Sequence, residues 1–263
     1  MFEEKNLSVW VIFSHPDHYH SYNGFSDKFR DRIAREIEMC KSRLTKDFAG
    51  QPIFDLKFVF IDDLLALKSS RTSKPHVVLF LMESRNFEEG IYCPPLNEFE
   101  LKGYLKTIGI PYTGCDGLSL FSDYDKSLQY SLALSCGVPV PIQAFITNAP
   151  QQNTIDWDLF PAFVKPCLHG DSIGIRKSCI VYDRPAMIAE INRLQNLFPA
   201  EPLVIQEFLQ GHEYTIGIMG NWDDEDCYTL PIIEIGYQKA VDDVTVLTHD
   251  AKNNPHSDEY MQD

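Results

Sequence analysis

Residues 160–177 read FPAFVKPCLHGDSIGIRK. A short apolar run surrounds one lysine, Lys165, and is followed by a loop with Gly170, Ser172 and Gly174. A second strand-like run opens at Ile175. The stretch predicts a β-hairpin with a glycine loop and a cation on its first strand. Glycines let backbone N–H groups approach a phosphate closely, and a lysine adds a point charge against it. An ordinary hairpin with a surface lysine would carry the same residues, so the neighbourhood has to decide.

Downstream, Val204-Ile205-Gln206-Glu207-Phe208-Leu209-Gln210-Gly211-His212-Glu213 reads as a strand ending in a glycine turn with acids on both sides. Then comes Leu230-Pro231-Ile232-Ile233-Glu234-Ile235. Upstream lie Ile110-Pro111-Tyr112-Thr113-Gly114, the pair Asp125-Lys126 and Gly137-Val138-Pro139-Val140-Pro141. In this order the set resembles the ATP-grasp superfamily and, within it, the D-alanine–D-alanine ligase family. The resemblance runs from about Ile110 to Ile235 and is loose before that.

Composition sets outer limits. With 263 residues, 44% hydrophobic and 12% aromatic, the chain suits one large domain or two to three lobes with a real core. Lys+Arg 23 against Asp+Glu 38 gives −15, which argues against a nucleic-acid or anionic-membrane surface. No apolar run approaches membrane-spanning length and no charged-then-apolar leader opens the chain, so a cytoplasmic protein is expected. The 7 cysteines are scattered and form no C-x-x-C pair, which fits free thiols in a reducing compartment rather than a zinc site.

The first part alternates strand and helix. Ser8–Ser14, Leu56–Ile61 and His76–Met82 are apolar strand runs. Gly24–Phe48 carries Phe25, Phe29, Ile33, Ile37, Cys40 and Leu44 at helical spacing, and Glu98–Ile108 reads as a helix stopped by Gly109. Such alternation implies a parallel sheet covered by helices, with ligands beyond the carboxyl ends of the strands. Asp123–Cys136 is expected to be one helix and Ile142–Thr147 a strand. After Ile175–Tyr182, Asp183 caps a helix with Pro185 in its first turn and Met187, Ile188, Ile191, Leu194 and Leu197 on one face. Strands follow at Leu203–Phe208, Glu213–Met219 and Tyr228–Ile235. The organisation expected is a pre-ATP-grasp α/β domain over 1–121, a small ATP-grasp lid over 122–202 and the start of a C-terminal lobe, incomplete, over 203–263.

The resemblance implies roles at matching positions. Lys126 and Lys165 match the family's phosphate-contacting lysines, and Gly170, Ser172 and Gly174 match the loop over the ATP phosphates. Gln206, Glu207, Phe208 and Leu209 match the strand on which adenine lies, and Glu213 matches the ribose acid. Adenine needs an N–H and a C=O from a strand edge, and ribose hydroxyls need an acceptor pair that one carboxylate supplies. Lys252, in Thr248-His249-Asp250-Ala251-Lys252, matches a lysine near the γ-phosphate, and Ser172 with Lys252 is implied to act in catalysis. The implied activity is ATP-dependent ligation of a carboxylate to an amine through an acyl phosphate, with magnesium. The family's magnesium-holding aspartate, glutamate and asparagine follow that segment and have no counterparts here, so no metal ligand is assigned and the chain alone is expected to show no turnover. A truncated, non-catalytic nucleotide-binding module is the alternative, and a homodimer or a complementary C-terminal chain are the protein partners considered.

Departures from the family pattern concern the substrate. Gln206 stands where the family has glutamate, and His169 and Asp171 stand where the loop has an acid and then a serine. The N-terminal loop Ser14-His15-Pro16-Asp17-His18-Tyr19-His20 replaces a Gly-rich stretch that addresses the first amino acid, which implies a small amino-acid-like substrate other than D-alanine. His15, Asp17, His18 and His20 have metal-ligand side chains. Four such residues within one short loop need a distant partner to converge on an ion, so a polar edge loop or a substrate contact are the other readings. The acidic run Asp223-Asp224-Glu225-Asp226 reads as a solvated hairpin turn.

Overall fold

The computed structural model describes residues 7–13, 27–49, 54–60, 74–81, 86–88, 91–93, 96–115, 117–147, 155–170, 172–199, 201–221, 225, 227–236 and 246–253. The chain divides into two compact units, Met1–Ser135 with Leu197–Glu201, and Cys136–Asn196 with Pro202–Asp263.

The first unit is built on a parallel sheet. Strand β1 (Leu7–Phe13) pairs with β2 (Phe54–Phe60) on one side and β3 (Val77–Phe80) on the other. The first helix, α1 (Asp27–Asp47), lies between β1 and β2 in sequence. A short hairpin, β4 (Asn86–Glu88) and β5 (Ile91–Cys93), precedes α2 (Leu96–Thr107). Because β1 is apolar at successive positions, both of its faces are buried, as a parallel strand between helices requires. Trp10 and Ile12 pack with Val59 and Val78 against Leu101, Leu105 and Ile110. Val11 and Phe13 pack against Ile37, with Cys40 and Leu44 from the same helix. The expected helical register of α1 therefore meets the sheet as predicted at these three positions.

The Ile110–Gly114 segment is fastened beside β3. Val78 donates its N–H to the carbonyl of Pro111, Thr113 donates to Val78, and Phe80 donates to the hydroxyl of Thr113. Lys102 on α2 is 2% exposed. Its ammonium lies 2.6 Å from Glu98 Oε1, donates to the carbonyl of Cys115 at 2.7 Å, and stands 4.8 Å from the ring centroid of Phe80. A buried ion pair thus clips the segment's end to the helix.

One predicted helix is two. Helix α3 (Gly117–Tyr124) ends before Asp125, and α4 (Lys126–Ser135) begins after it. The Asp125 carboxylate accepts from the N–H groups of Ser127 and Leu128. A capping aspartate satisfies the first orphan donors of a new helix, which is why the periodicity is interrupted there.

The second unit holds an antiparallel four-stranded sheet. Its strands are β6 (Gln143–Ile146), β7 (Ala162–Pro166), β8 (Ile180–Val181) and β9 (Leu203–Glu207), in the order β6-β9-β7-β8. Helix α5 (Arg184–Leu197) follows β8, and Asp183 caps it by accepting from the N–H of Ala186 at 2.8 Å. Met187, Ile191 and Leu194 are buried, as their helical spacing predicts.

The last predicted strands are each broken. Strand β10 (Glu213–Thr215) pairs with the later β13 (Ile233–Ile235), and β11 (Ile218–Met219) pairs with β12 (Tyr228–Thr229). Between the pairs, Ile216 and Gly217 face Leu230, Pro231 and Ile232, an extra residue on one side. Pro231 has no N–H to give to a ladder, so continuous pairing is not available there. Of the acidic run, which lies between β11 and β12 in sequence, only Glu225 is among the described residues, and it is in a turn. Helix α6 (His249–Asn253) closes the described chain.

Candidate functional site

Strand β7 alternates: Ala162, Val164 and Pro166 are buried, while Phe163 and Lys165 are half-buried on the other face. Residues paired directly across an antiparallel ladder point to the same side. Phe163 pairs with Gln206, Lys165 with Val204, and Gln206 in turn with Gln143. One sheet face therefore carries Lys165, Phe163, Gln206 and Gln143. The Lys165 ammonium lies 5.7 Å from the centroid of the Phe163 ring, and that ring lies 6.4 Å from Phe208. This is a cation and a flat aromatic surface on a sheet face, arranged beside the glycine loop that leaves β7.

The loop itself is two successive turns. Ile173 donates its N–H to the carbonyl of Gly170, and Ile175 donates to that of Ser172, both at 3.0 Å. Gly174 has φ +78°, a conformation that glycine adopts without steric cost, and Ser172 holds φ +55°. The expected return strand from Ile175 does not form there. Residues Lys177–Cys179 wind into a 3-10 turn, and the strand is confined to Ile180–Val181, which pairs with β7. The left-handed backbone at 172 and 174 curls the chain, so five residues are used before it can rejoin the ladder.

Beneath the loop is a polar cluster that sequence reasoning missed. Arg193 Nη2 donates to the carbonyl of Gly174 at 2.7 Å, and Arg193 Nε donates to Glu190 Oε1 at 2.9 Å. Glu190 is 3% exposed and also accepts from the hydroxyl of Ser178 at 3.0 Å. The Cys179 thiol lies 3.2 Å from Glu190 Oε1 and 3.7 Å from the Gly174 carbonyl oxygen. Burial pushes this thiol up to about 12, and Glu190 pushes in the same direction. Burial alone would raise the Glu190 carboxyl too, but hydrogen bonds from Arg193, Cys179 and Ser178 outweigh it and hold the group below the usual carboxylate value. A signal was present in the sequence: position 190 falls on the apolar stripe of 187, 191 and 194, where an acid with an arginine one turn later has to be a buried pair.

A second tie reaches the loop from the far end of the sequence. His249 donates its N–H to the carbonyl of Ile175 at 3.0 Å. Thr248 caps α6 by accepting from the N–H of Ala251 at 3.0 Å, and Lys252 is exposed on that helix. The structure therefore brings together Lys165, Gly170, Ser172, Gly174 and the segment that carries Lys252. Glu207 accepts from the N–H of Ile142 at 3.3 Å, and Phe208 donates to the carbonyl of Pro161, so both are tied into the sheet's end. Leu209 is exposed beyond it, and Glu213 is exposed at the start of β10. Lys126, the first residue of α4, belongs to the other unit. Residues 14–20 and Asp171 lie outside the described residues. Among the described residues no three His, Cys, Asp or Glu side chains gather as a metal site.

A parallel α/β unit, a small antiparallel sheet with a capped helix, and a glycine loop beside a strand lysine fit an ATP-grasp fold. Residues 136–262 match the family model described as D-ala D-ala ligase C-terminus. That segment is similar to the D-alanine–D-alanine ligase family. It is 29% identical over 171 residues to a D-alanine–D-alanine ligase of Aquifex aeolicus, a match that covers 65% of this chain and 52% of that one. The chain spans about half the length of that relative. The D-alanine–D-alanine ligase from Bacillus anthracis solved with ATP superposes with TM-score 0.54 at 19% identity, covering 87% of this chain and 66% of the other. The VanG D-Ala:D-Ser ligase from Enterococcus faecalis gives TM-score 0.56 at 18% identity, covering 88% and 70%. All three are named for D-alanine. No described helix is long and apolar enough to cross a membrane.

Proposed function

We propose that the chain carries the nucleotide-binding machinery of an ATP-dependent ligase of the D-alanine–D-alanine type. Lys165 and the N–H groups of the Gly170–Gly174 loop take the phosphates, and the sheet face of Phe163 and Gln206 with the Phe208–Leu209 edge takes the adenine. Glu213 is assigned to the ribose. Lys126 and Lys252 are assigned to further phosphate contacts, and Ser172 is assigned to the reacting groups. The carboxylate oxygen of D-alanine attacks the γ-phosphorus, giving an acyl phosphate and ADP. The amino group of a second amino acid then attacks the acyl carbon, inorganic phosphate leaves, and the nitrogen loses its proton. Both steps are accelerated by holding reactants together and by neutralising charge on the transferring phosphoryl group.

The observation that carries this reading is the convergence of Lys165, the glycine loop and the Thr248–Lys252 segment within one unit. The test is calorimetry with ATP, followed by phosphate release with ATP, magnesium and D-alanine. Binding in the micromolar to millimolar range is expected, and D-alanine-dependent phosphate release by this chain would overturn the expectation that it alone shows no turnover. Binding without turnover would assign a nucleotide-binding module instead, and absence of binding would overturn the site.

A further inference from the structure

We propose that Arg193, braced by Glu190, is a positioning residue for the phosphates: it sets the orientation of the glycine loop by holding the carbonyl of Gly174. The inference rests on the nucleotide-site reading above and goes beyond it to residues that touch no ligand.

A peptide plane presents its C=O and its N–H on opposite sides. The plane between Gly174 and Ile175 has its oxygen on Arg193 Nη2 at 2.7 Å and its N–H on the Ser172 carbonyl at 3.0 Å. Gly174 sits at φ +78°, and glycine populates both signs of φ, so this plane has little intrinsic preference for one orientation. A charge-assisted hydrogen bond to its oxygen selects one orientation. That orientation also closes the turn on Ser172, the residue before Ile173, and so shapes the whole loop. The next carbonyl, that of Ile175, is taken by the N–H of His249. Two successive carbonyls are thus held by protein donors.

Arg193 needs a brace, because its side chain is only 18% exposed and a guanidinium out of water must be paired. Glu190 supplies it through Nε, and is itself held by Ser178, Cys179 and, at 3.5 Å, Arg176. Arg176 and Ser178 belong to the return path of the loop. The brace therefore ties both α5 and the loop's exit to one carbonyl oxygen.

The test compares ATP with adenosine on the full 263-residue chain. A loop-positioning role affects only the ligand with phosphates; a role limited to stability leaves the ratio of the two affinities alone. For Arg193→Gln, the dissociation constant for ATP should rise about tenfold, as for a lost charge-assisted bond, while that for adenosine stays within about twofold. Arg193→Lys should recover part of the loss, since an ammonium can reach the carbonyl but cannot fork to Glu190. Equal weakening of ATP and adenosine, or unchanged ATP binding in a folded Arg193→Gln chain, would overturn the proposal. Hydrogen exchange at the Ile173 and Ile175 amides reads the clamp without nucleotide and in the milder Arg193→Lys variant. Exchange about tenfold faster than in the parent chain is expected, and unchanged exchange would overturn it. A parent chain that binds neither ATP nor adenosine overturns the nucleotide site, an outcome separate from the exchange result.

Discussion

The N–H of His249 donates to the carbonyl oxygen of Ile175 at 3.0 Å, so the helix that carries Lys252 is attached to the exit of the glycine loop. Thr248, 2% exposed, caps that helix through its hydroxyl. Thr248→Val keeps the volume and removes the cap acceptor, and should lower stability by about 1 kcal/mol, the usual worth of a cap. Thermal denaturation of the two chains checks it. An unchanged melting temperature would mean that α6 is held by the His249 bond alone.

Lys165 stands on the sheet face beside the loop, with Phe163 under its ammonium. Lys165→Ala should weaken ATP binding by about 1.5–3 kcal/mol, the range for a hydrogen bond to a charged group. Calorimetry on parent and variant measures it directly. Adenosine binding should be nearly unaffected, because the ammonium addresses phosphate.

Lys102 and Glu98 form a buried pair with side chains 2% and 6% exposed. Lys102→Met leaves Glu98 as an uncompensated buried charge and should cost about 3–5 kcal/mol. Combining it with Glu98→Leu should restore most of the loss, since an apolar pair of similar volume replaces an ion pair at little cost. Denaturant unfolding of the single and double variants decides this, and a double variant as unstable as the single one would refute it.

Glu190 gives a pH dependence with a definite sign. Its folded-state carboxyl is held below the ordinary value. The folded chain therefore binds this proton less readily than the unfolded chain does. The stabilisation is complete above the ordinary carboxylate range, about pH 4–5, and is lost as pH falls through the depressed folded value. Melting temperatures of Glu190→Gln and the parent should differ most near neutrality and converge in acid.

The thiol of Cys179 is pushed up to about 12 by burial first, and it is fully buried. A thiolate is the species that reacts with alkylating reagents. Iodoacetamide at pH 8 should label the exposed Cys136 and leave Cys179 untouched until the chain is denatured. Peptide mapping by mass spectrometry reads both sites in one experiment. Labelling of Cys179 in the folded chain would refute the buried placement.

The parts of this fold that sequence made legible are those fixed by local rules. The continuous apolar run of β1 announced a strand buried on both faces, and Asp183 with Pro185 announced the start of α5. The glycine loop and its strand lysine were legible because phosphate chemistry needs few residue types in a tight order. What sequence concealed depends on contacts between distant segments. The hold of Arg193 on Gly174 needs the helix to pass under the loop, and the His249 tie needs the chain's end to return to it. The break between β10 and β11 depends on Pro231 falling in the segment that faces Ile216 and Gly217, which neither strand's own sequence states. The split at Asp125 is a local signal, since an aspartate inside a helical pattern can also cap a new helix.

The strand order β6-β9-β7-β8 has a consequence for how the second unit comes into being. β9 is an inner strand of the sheet and the last of the four to be synthesised. Among the described residues β6 pairs only with β9, so Gln143–Ile146 waits for this pairing until Leu203–Glu207 has left the ribosome. The β7–β8 hairpin, by contrast, can form early from nearby residues. Closing a long loop precedes the reward for doing so, which makes the arrival of β9 the slow event in assembling this sheet. A nascent chain halted just short of Leu203 would expose two strand edges together, and it is there that a chaperone or a misplaced neighbouring strand would find it.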